Sequence, residues 1–149
     1  MLKQVLIFII LTAICIVLPA RVGHAQGAGT PEQLVYDFYV WYGENYDNRP
    51  VAEMNDEIYN YVYACTVNRC RRNFLKSCVD SNYFVKGNAV EKEDFTTIII
   101  GKAVPVGDGV MIVPATLRIP WYEKLPNVIA FVRKEEGKWR IIKVENWRS

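Results

Sequence analysis

Apolar residues recur at two different spacings along this chain, and the change between them divides it. From Leu34 the spacing is helical: Leu34, Phe38, Trp41 and Tyr42 share one face, and Val35 widens it. Just ahead, Thr30-Pro31-Glu32-Gln33 supplies an N-cap, a proline at the first helical position and a glutamine placed to close a capping box. Asn48-Arg49-Pro50 ends this helix. A second helix is predicted from about Ala52 to Tyr63, with Met54, Ile58, Tyr61 and Val62 on one side. A third, shorter helical piece ends near Ser77.

Beyond Asp94 the pattern turns to strands. Thr96 to Val104 is β-branched and leads to Gly107-Asp108-Gly109, a hairpin signal. Met111, Val113, Ala115, Leu117 and Ile119 then alternate onto one face. Pro114, within this run, cannot donate to a ladder and predicts an edge position or a bulge. Val128 to Lys134 makes a third strand, Glu135-Glu136-Gly137-Lys138 a turn, and Trp139 to Glu145 a fourth strand. Helices first and strands last predict an α+β fold, with N-terminal helices packed on a curved antiparallel sheet of about four strands.

The first 25 residues belong to neither pattern. Lys3 is followed by an almost wholly apolar stretch, Val5 to Leu18, and then by the small-residue exit Gly23-His24-Ala25. This reads as a secretory signal peptide, residues 1–25, cleaved before Gln26. The apolar run is short of the ~20 residues that span a bilayer comfortably; an uncleaved N-terminal anchor is the alternative. Ile14 before Cys15 argues against a lipid anchor. Residues 26–149 then form a single α+β domain, expected in the periplasm and without a stable membrane span.

Loss of the leader changes charge and chemistry. Of 18 Lys and Arg, Lys3 and Arg21 leave, so 16 remain against 16 Asp and Glu, and the net charge falls from +2 to zero. A neutral domain has no chain-wide reason to bind nucleic acid, where phosphate neutralisation carries most of the affinity. His24 is the only histidine, so the mature chain lacks the base that Ser–His and Cys–His nucleophile pairs require. No motif reads as catalytic, and no cofactor or metal is implied.

Three of the four cysteines lie in "CTVNRCRRNFLKSC", Cys65 to Cys78. Three ligands at gaps of four and seven residues do not fit a tetrahedral zinc site. In an oxidising compartment one disulfide is the ordinary outcome. Cysteines five or eight apart cannot bridge along an unbroken helix, given its ~1.5 Å rise per residue. The bridge is therefore expected where the chain turns: Cys65–Cys70, pinching the loop between the second and third helical pieces, or alternatively Cys70–Cys78. A loop this short gains ~2 kcal/mol. The leftover cysteine is either buried as a small hydrophobe or paired between chains.

Two features suit a partner surface. Arg69, Arg71, Arg72 and Lys76 form the densest charge in the chain, either as a solvated face partly paired with Glu53, Asp56 or Glu57, or as guanidinium forks that grip a partner's carboxylates or phosphates. "IPWYEKLPN" brackets Trp121 and Tyr122 between two prolines, the composition of an interface hot spot, although Trp121 folding back as a lid is equally compatible. Tyrosines and Trp41 crowd the first helices and are mostly core, with some available to line a pocket.

The motifs "FYVWYGEN", "DSNYFVKG" and "EEGKWRIIKVENW", carrying Phe38, Tyr39, Trp41, Tyr42, Asp80, Tyr83, Phe84, Lys86, Trp139 and Trp147, resemble a family of bacterial periplasmic proteins of unknown function. The layout resembles the cone-shaped, cystatin-like fold named after nuclear transport factor two. The resemblance implies that fold and an envelope location. It also implies immunity-type members that act against cell-wall-directed toxins, and it brings no catalytic residues. Two functions follow. The first is an exported binding protein that masks an envelope protein partner, using Trp121, Tyr122, Arg69, Arg71 and Arg72. The second is a small-ligand pocket protein or weak acid–base enzyme, with Asp80 or Glu44 as an inward acid in an aromatic-lined cone.

Overall fold

The computed structural model describes residues 29–45, 53–72, 83–86, 95, 97–117 and 127–147. Helix α1 spans Pro31–Asn45. Thr30 Oγ1 accepts a hydrogen bond from the Gln33 backbone N–H at 3.2 Å, the cap that the sequence predicts. The reciprocal half of the box is replaced, because Gln33 Nε2 donates instead to Asp37 Oδ1 at 2.7 Å.

The second predicted helix is not formed as such. A five-residue 3₁₀ turn, Asp56–Asn60, stands there, started by Asn55 Oδ1 accepting from the Glu57 N–H at 2.9 Å. The chain then turns extended because Val62 joins the sheet as a parallel bridge to Ile141. Tyr63 N–H donates to Ile141 O at 2.9 Å, and Ile141 N–H to Tyr61 O at 2.8 Å. Helix α2 starts immediately after, at Ala64–Arg72. Met54, Ile58, Tyr61 and Val62 are nonetheless all buried, as their pattern requires.

The sheet is open, curved and antiparallel, with five strands rather than four. They are β1 (Ile98–Ile100), β2 (Val104–Gly107), β3 (Val110–Leu117), β4 (Asn127–Glu135) and β5 (Lys138–Asn146). The order is β1-β3-β4-β5, and β2 also pairs with β3, so β1 and β2 share one edge. The single strand expected over Thr96–Val104 is broken at Gly101–Ala103. Opposite the break sits Pro114: Ile100 pairs with Ala115 and Val104 with Ile112, so three residues face two. Pro114 has no N–H to offer on that side, and its carbonyl is met by the Gly101 N–H at 2.8 Å. A Cβ on Gly101 would lie 3.0 Å from Pro114 Cβ, so glycine permits the approach.

The β4–β5 hairpin turns on Glu136 and Gly137, with φ of 50° and 79°, the left-handed pair that a two-residue turn needs. In β5 a bulge leaves Ile142 unpaired between Phe131↔Lys143 and Val132↔Ile141. The buried hydroxyl of Thr66 on α2 donates to the Ile142 carbonyl at 2.7 Å, tying that helix to the irregularity.

One face of the sheet, carrying Val113, Ala115, Leu117, Val128, Ala130, Val132, Ile141 and Val144, is buried. Against it α1 sets Val35, Phe38, Tyr39, Trp41 and Tyr42. Phe38 meets Tyr39 and Phe84 edge-on at 5.1 and 4.9 Å, and Trp41 stacks on Tyr61 at 5.3 Å. Tyr39, fully buried, donates to the Phe84 carbonyl at 2.8 Å, and burial pushes its phenol well above its ordinary pKa. Trp41 Nε1 donates to Glu57 Oε2 at 2.9 Å. Gly43 leaves room for Phe95, whose Cβ would lie 2.4 Å from a Cβ there.

Candidate functional site

Helix α2 carries the arginine cluster, and its three members differ. Arg71 is held by its own chain: Nη1 donates to Asp56 Oδ1 at 3.0 Å and to Tyr59 Oη at 3.1 Å, Nη2 donates to Met54 O at 2.9 Å, and the guanidinium lies 5.1 Å from the Tyr59 ring. It braces the 3₁₀ turn and is not a free fork for a partner. Asp56 is one of the three acids that the sequence offered for this pairing. Arg69 and Arg72 are exposed, with Arg72 Nε donating weakly to Asn68 O at 3.3 Å.

The same helix decides the cysteines. Cys65 is a free, exposed thiol, and Cys70 is buried and disulfide-bonded. The Cys65–Cys70 bridge is therefore not formed. The expected turn between them does not exist: both lie on α2, which runs unbroken from Ala64, and helical rise keeps them apart. The partner of Cys70 lies outside the described residues, as does Cys78. The leftover cysteine is thus solvent-facing rather than buried.

A second cluster joins α2 to β5 through Tyr83. Lys86 Nζ lies 4.2 Å from the Tyr83 ring, and Tyr83 packs edge-on to Phe84 at 4.9 Å. Desolvation and the Glu145 carboxylate raise the Tyr83 pKa, while Arg69 and Lys143 pull the other way. Glu145 is ion-paired to Lys143 at 2.7 Å, and that hydrogen bond holds its carboxyl below the usual range. Arg69, Lys86 and Lys143, far apart in sequence, therefore share one neighbourhood.

The outer face of the sheet is the feature that the sequence reading missed. Alternation turns Ile112 and Pro114 of β3, and Ile129 and Phe131 of β4, away from the core, and these are cross-strand partners: Ile112↔Phe131 and Pro114↔Ile129. Their rows continue across β5 to Lys143 and Glu145, and the neighbouring row is Val110–Arg133–Arg140. On the edge strands Ile99, Val104 and Val106 are 55%, 48% and 51% exposed. A sheet with one solvated face carries polar side chains there. Here apolar residues stand at positions that the described helices do not cover. The signal was in the sequence: "TTIII", "VMIVPA" and "VIAFV" are near-continuous apolar runs rather than alternating ones.

The remaining predicted residues fall as follows. Trp121, Tyr122 and Asp80 lie outside the described residues. Glu44 is exposed on the last turn of α1, so it is not an inward acid. A shallow cleft of about 110 Å³ lies between the start of α1 and the β4–β5 hairpin, lined by Thr30, Gln33, Asp37, Asn60, Lys138 and Arg140 among others. Small-molecule sites run to ~300–1,000 Å³, and Glu44 does not line this cleft. Beneath α1 the described interior is filled by the aromatic cluster. Among the described residues no group of three His, Cys, Asp or Glu side chains could hold a metal ion, and no helix is long and apolar enough to cross a membrane.

No protein-family model and no curated protein matches the chain. Among solved structures it is similar to a chain of the crystal structure of the type VI native effector–immunity complex Tae3–Tai3 from Ralstonia pickettii. The TM-score is 0.68 at 24% identity, covering 80% of this chain and 98% of that one. At this identity the likeness establishes the fold.

Proposed function

We propose that this is an exported immunity-type protein, which binds a cell-wall-directed effector in the envelope and blocks it without chemistry of its own. The observation that carries the reading is the fold shared, along nearly the whole of the neighbour's length, with a chain of an effector–immunity pair. Of the two roles in such a pair, this chain suits the inhibitor. Once the leader is lost it holds no imidazole to activate a nucleophile. The aromatic packing beneath α1 leaves a rigid scaffold that can present a surface without rearranging.

Within this reading Arg69 and Arg72 supply exposed guanidinium groups on α2, and Trp121 with Tyr122 supplies aromatic anchors from the segment joining β3 to β4. The test is a titration of residues 26–149 with the purified product of the effector gene adjoining the gene for this chain. A one-to-one complex that silences the effector is expected. A native chain that neither binds nor inhibits it contradicts the reading. Native affinity in the Trp121→Ala, Tyr122→Ala double variant would remove that segment from the account and leave the reading intact.

A further inference from the structure

Resting on the immunity-type reading, we propose that the outer face of β3–β4–β5, with the open β1–β2 edge, receives a protein partner whose matching surface is apolar at its centre and acidic at its rim.

The centre is set by cross-strand geometry. Ile112, Pro114, Ile129 and Phe131 occupy two adjacent rows, and Val104, paired with Ile112, extends the first onto the edge. Ile99, paired with Thr116, extends the patch beside Pro114. Side chains of this kind, half-buried to exposed and contiguous on a rigid sheet, mark an interaction surface rather than scattered surface apolars. The opposite edge of the sheet differs: there Val62 bridges to Ile141, so that edge is covered for one step.

The rim is set by charge. In the three rows from Val110–Arg133–Arg140 to Pro114–Ile129–Glu145, the cations are Arg133, Arg140 and Lys143, and the acid is Glu145. Lys143 and Glu145 pair with each other, so the excess cations of these rows are Arg133, whose guanidinium lies 5.5 Å from the Tyr63 ring, and Arg140, which also lines the cleft at the start of α1. Arg69 and Lys86 continue the positive side beyond β5. A partner with carboxylates around an apolar knob gains from both features. A second copy of this chain would set these cation-rich rows against each other, which opposes self-docking. An anionic membrane is a worse fit than a protein: membrane-surface binding uses amphipathic helices that sink apolar side chains into the headgroup boundary, whereas this face is a sheet.

The test uses full-length mature chain, the purified effector named above and four variants. Val104→Glu and Phe131→Glu place charge in the centre. Val104 is exposed, so that variant keeps the fold even where Phe131→Glu does not. Arg133→Glu with Lys143→Glu reverses the rim, and Tyr36→Glu, on the exposed side of α1, is the control. The expected result is at least about tenfold weaker binding for Val104→Glu, native binding for Tyr36→Glu, and loss of the salt dependence of the on-rate for the rim variant. Folded Val104→Glu and Phe131→Glu that both bind within about tenfold of native overturn the inference and spare the immunity reading. Failure of the native chain to bind overturns both. Sedimentation of the native chain with phosphatidylglycerol vesicles, lost in Val104→Glu while effector affinity is unchanged, gives the face to the membrane and also overturns it.

Discussion

Glu32 on α1 and Ala103 in the broken edge strand, distant in sequence, are joined by a 2.9 Å hydrogen bond from the Ala103 backbone N–H to Glu32 Oε1. The break opposite Pro114 takes that N–H out of the β-ladder, and a carboxylate from the helix receives it. The helix is thereby fixed to a part of the sheet where backbone pairing lapses.

The bond has a pH signature. The Ala103 N–H, foremost, lowers the Glu32 pKa from 4.5. A carboxyl whose folded pKa is depressed stabilises the fold above its unfolded value, and loses that contribution as pH falls through the folded one. Glu32→Gln is expected to be less stable than native by about 1 kcal/mol at neutral pH, with the gap closing below about pH 4.5. Thermal melts of both proteins across pH check this. Parallel profiles would mean the contact contributes nothing.

Gly43→Ala sets two effects against each other. Alanine favours a helix by about 1 kcal/mol. The added Cβ, however, would lie 2.4 Å from Phe95 Cβ and 2.6 Å from its Cγ, which the ring cannot escape by a small rotation. Overpacking of this kind costs about 1–3 kcal/mol, so net destabilisation is expected in denaturant unfolding. A more stable variant would show that Phe95 does not pack there.

Tyr39→Phe removes the donor to the buried Phe84 carbonyl and leaves that oxygen without its hydroxyl partner. A loss of about 1–3 kcal/mol is expected, read from chemical denaturation. An unchanged midpoint would show that water reaches the carbonyl.

The native protein is expected to have one alkylatable thiol, Cys65. With Cys70 bridged and Cys15 in the leader, Cys78 is the partner we propose for it. Non-reducing peptide mapping after alkylation should give a labelled Cys65 and a Cys70–Cys78 linked peptide. Label on Cys70 would contradict the assignment.

Local signals carried the parts of this fold that local forces decide. The Thr30 cap, the aromatic face of α1 and the Glu136-Gly137 turn stand where their residue types place them. The failures share a different cause. The helix expected through Tyr63 gives way because Ile141, far along the chain, offers Val62 a bridge. The edge strand breaks because Pro114 lies opposite it, which no reading of Thr96–Val104 alone can reveal. The turn expected between Cys65 and Cys70 is displaced by the same bridge, since α2 begins directly after it. Of the candidate site, the exposure of Arg69 and Arg72 was legible from charge density. The internal role of Arg71 was not, because Met54 O and Tyr59 Oη reach it only through the 3₁₀ turn. The outer face was legible in principle, through apolar runs too continuous for a sheet with one solvated side.

An immunity-type protein protects a cell against its effector, and growth measures that protection directly. Cells that deliver the effector to their own periplasm are supplied with this chain, either with residues 1–25 or beginning at Gln26 without them. The prediction is rescue by the leader-bearing chain, loss of rescue for the leaderless one, and weakened rescue for Val104→Glu. Lysis despite stable, exported native protein would contradict the immunity reading outright.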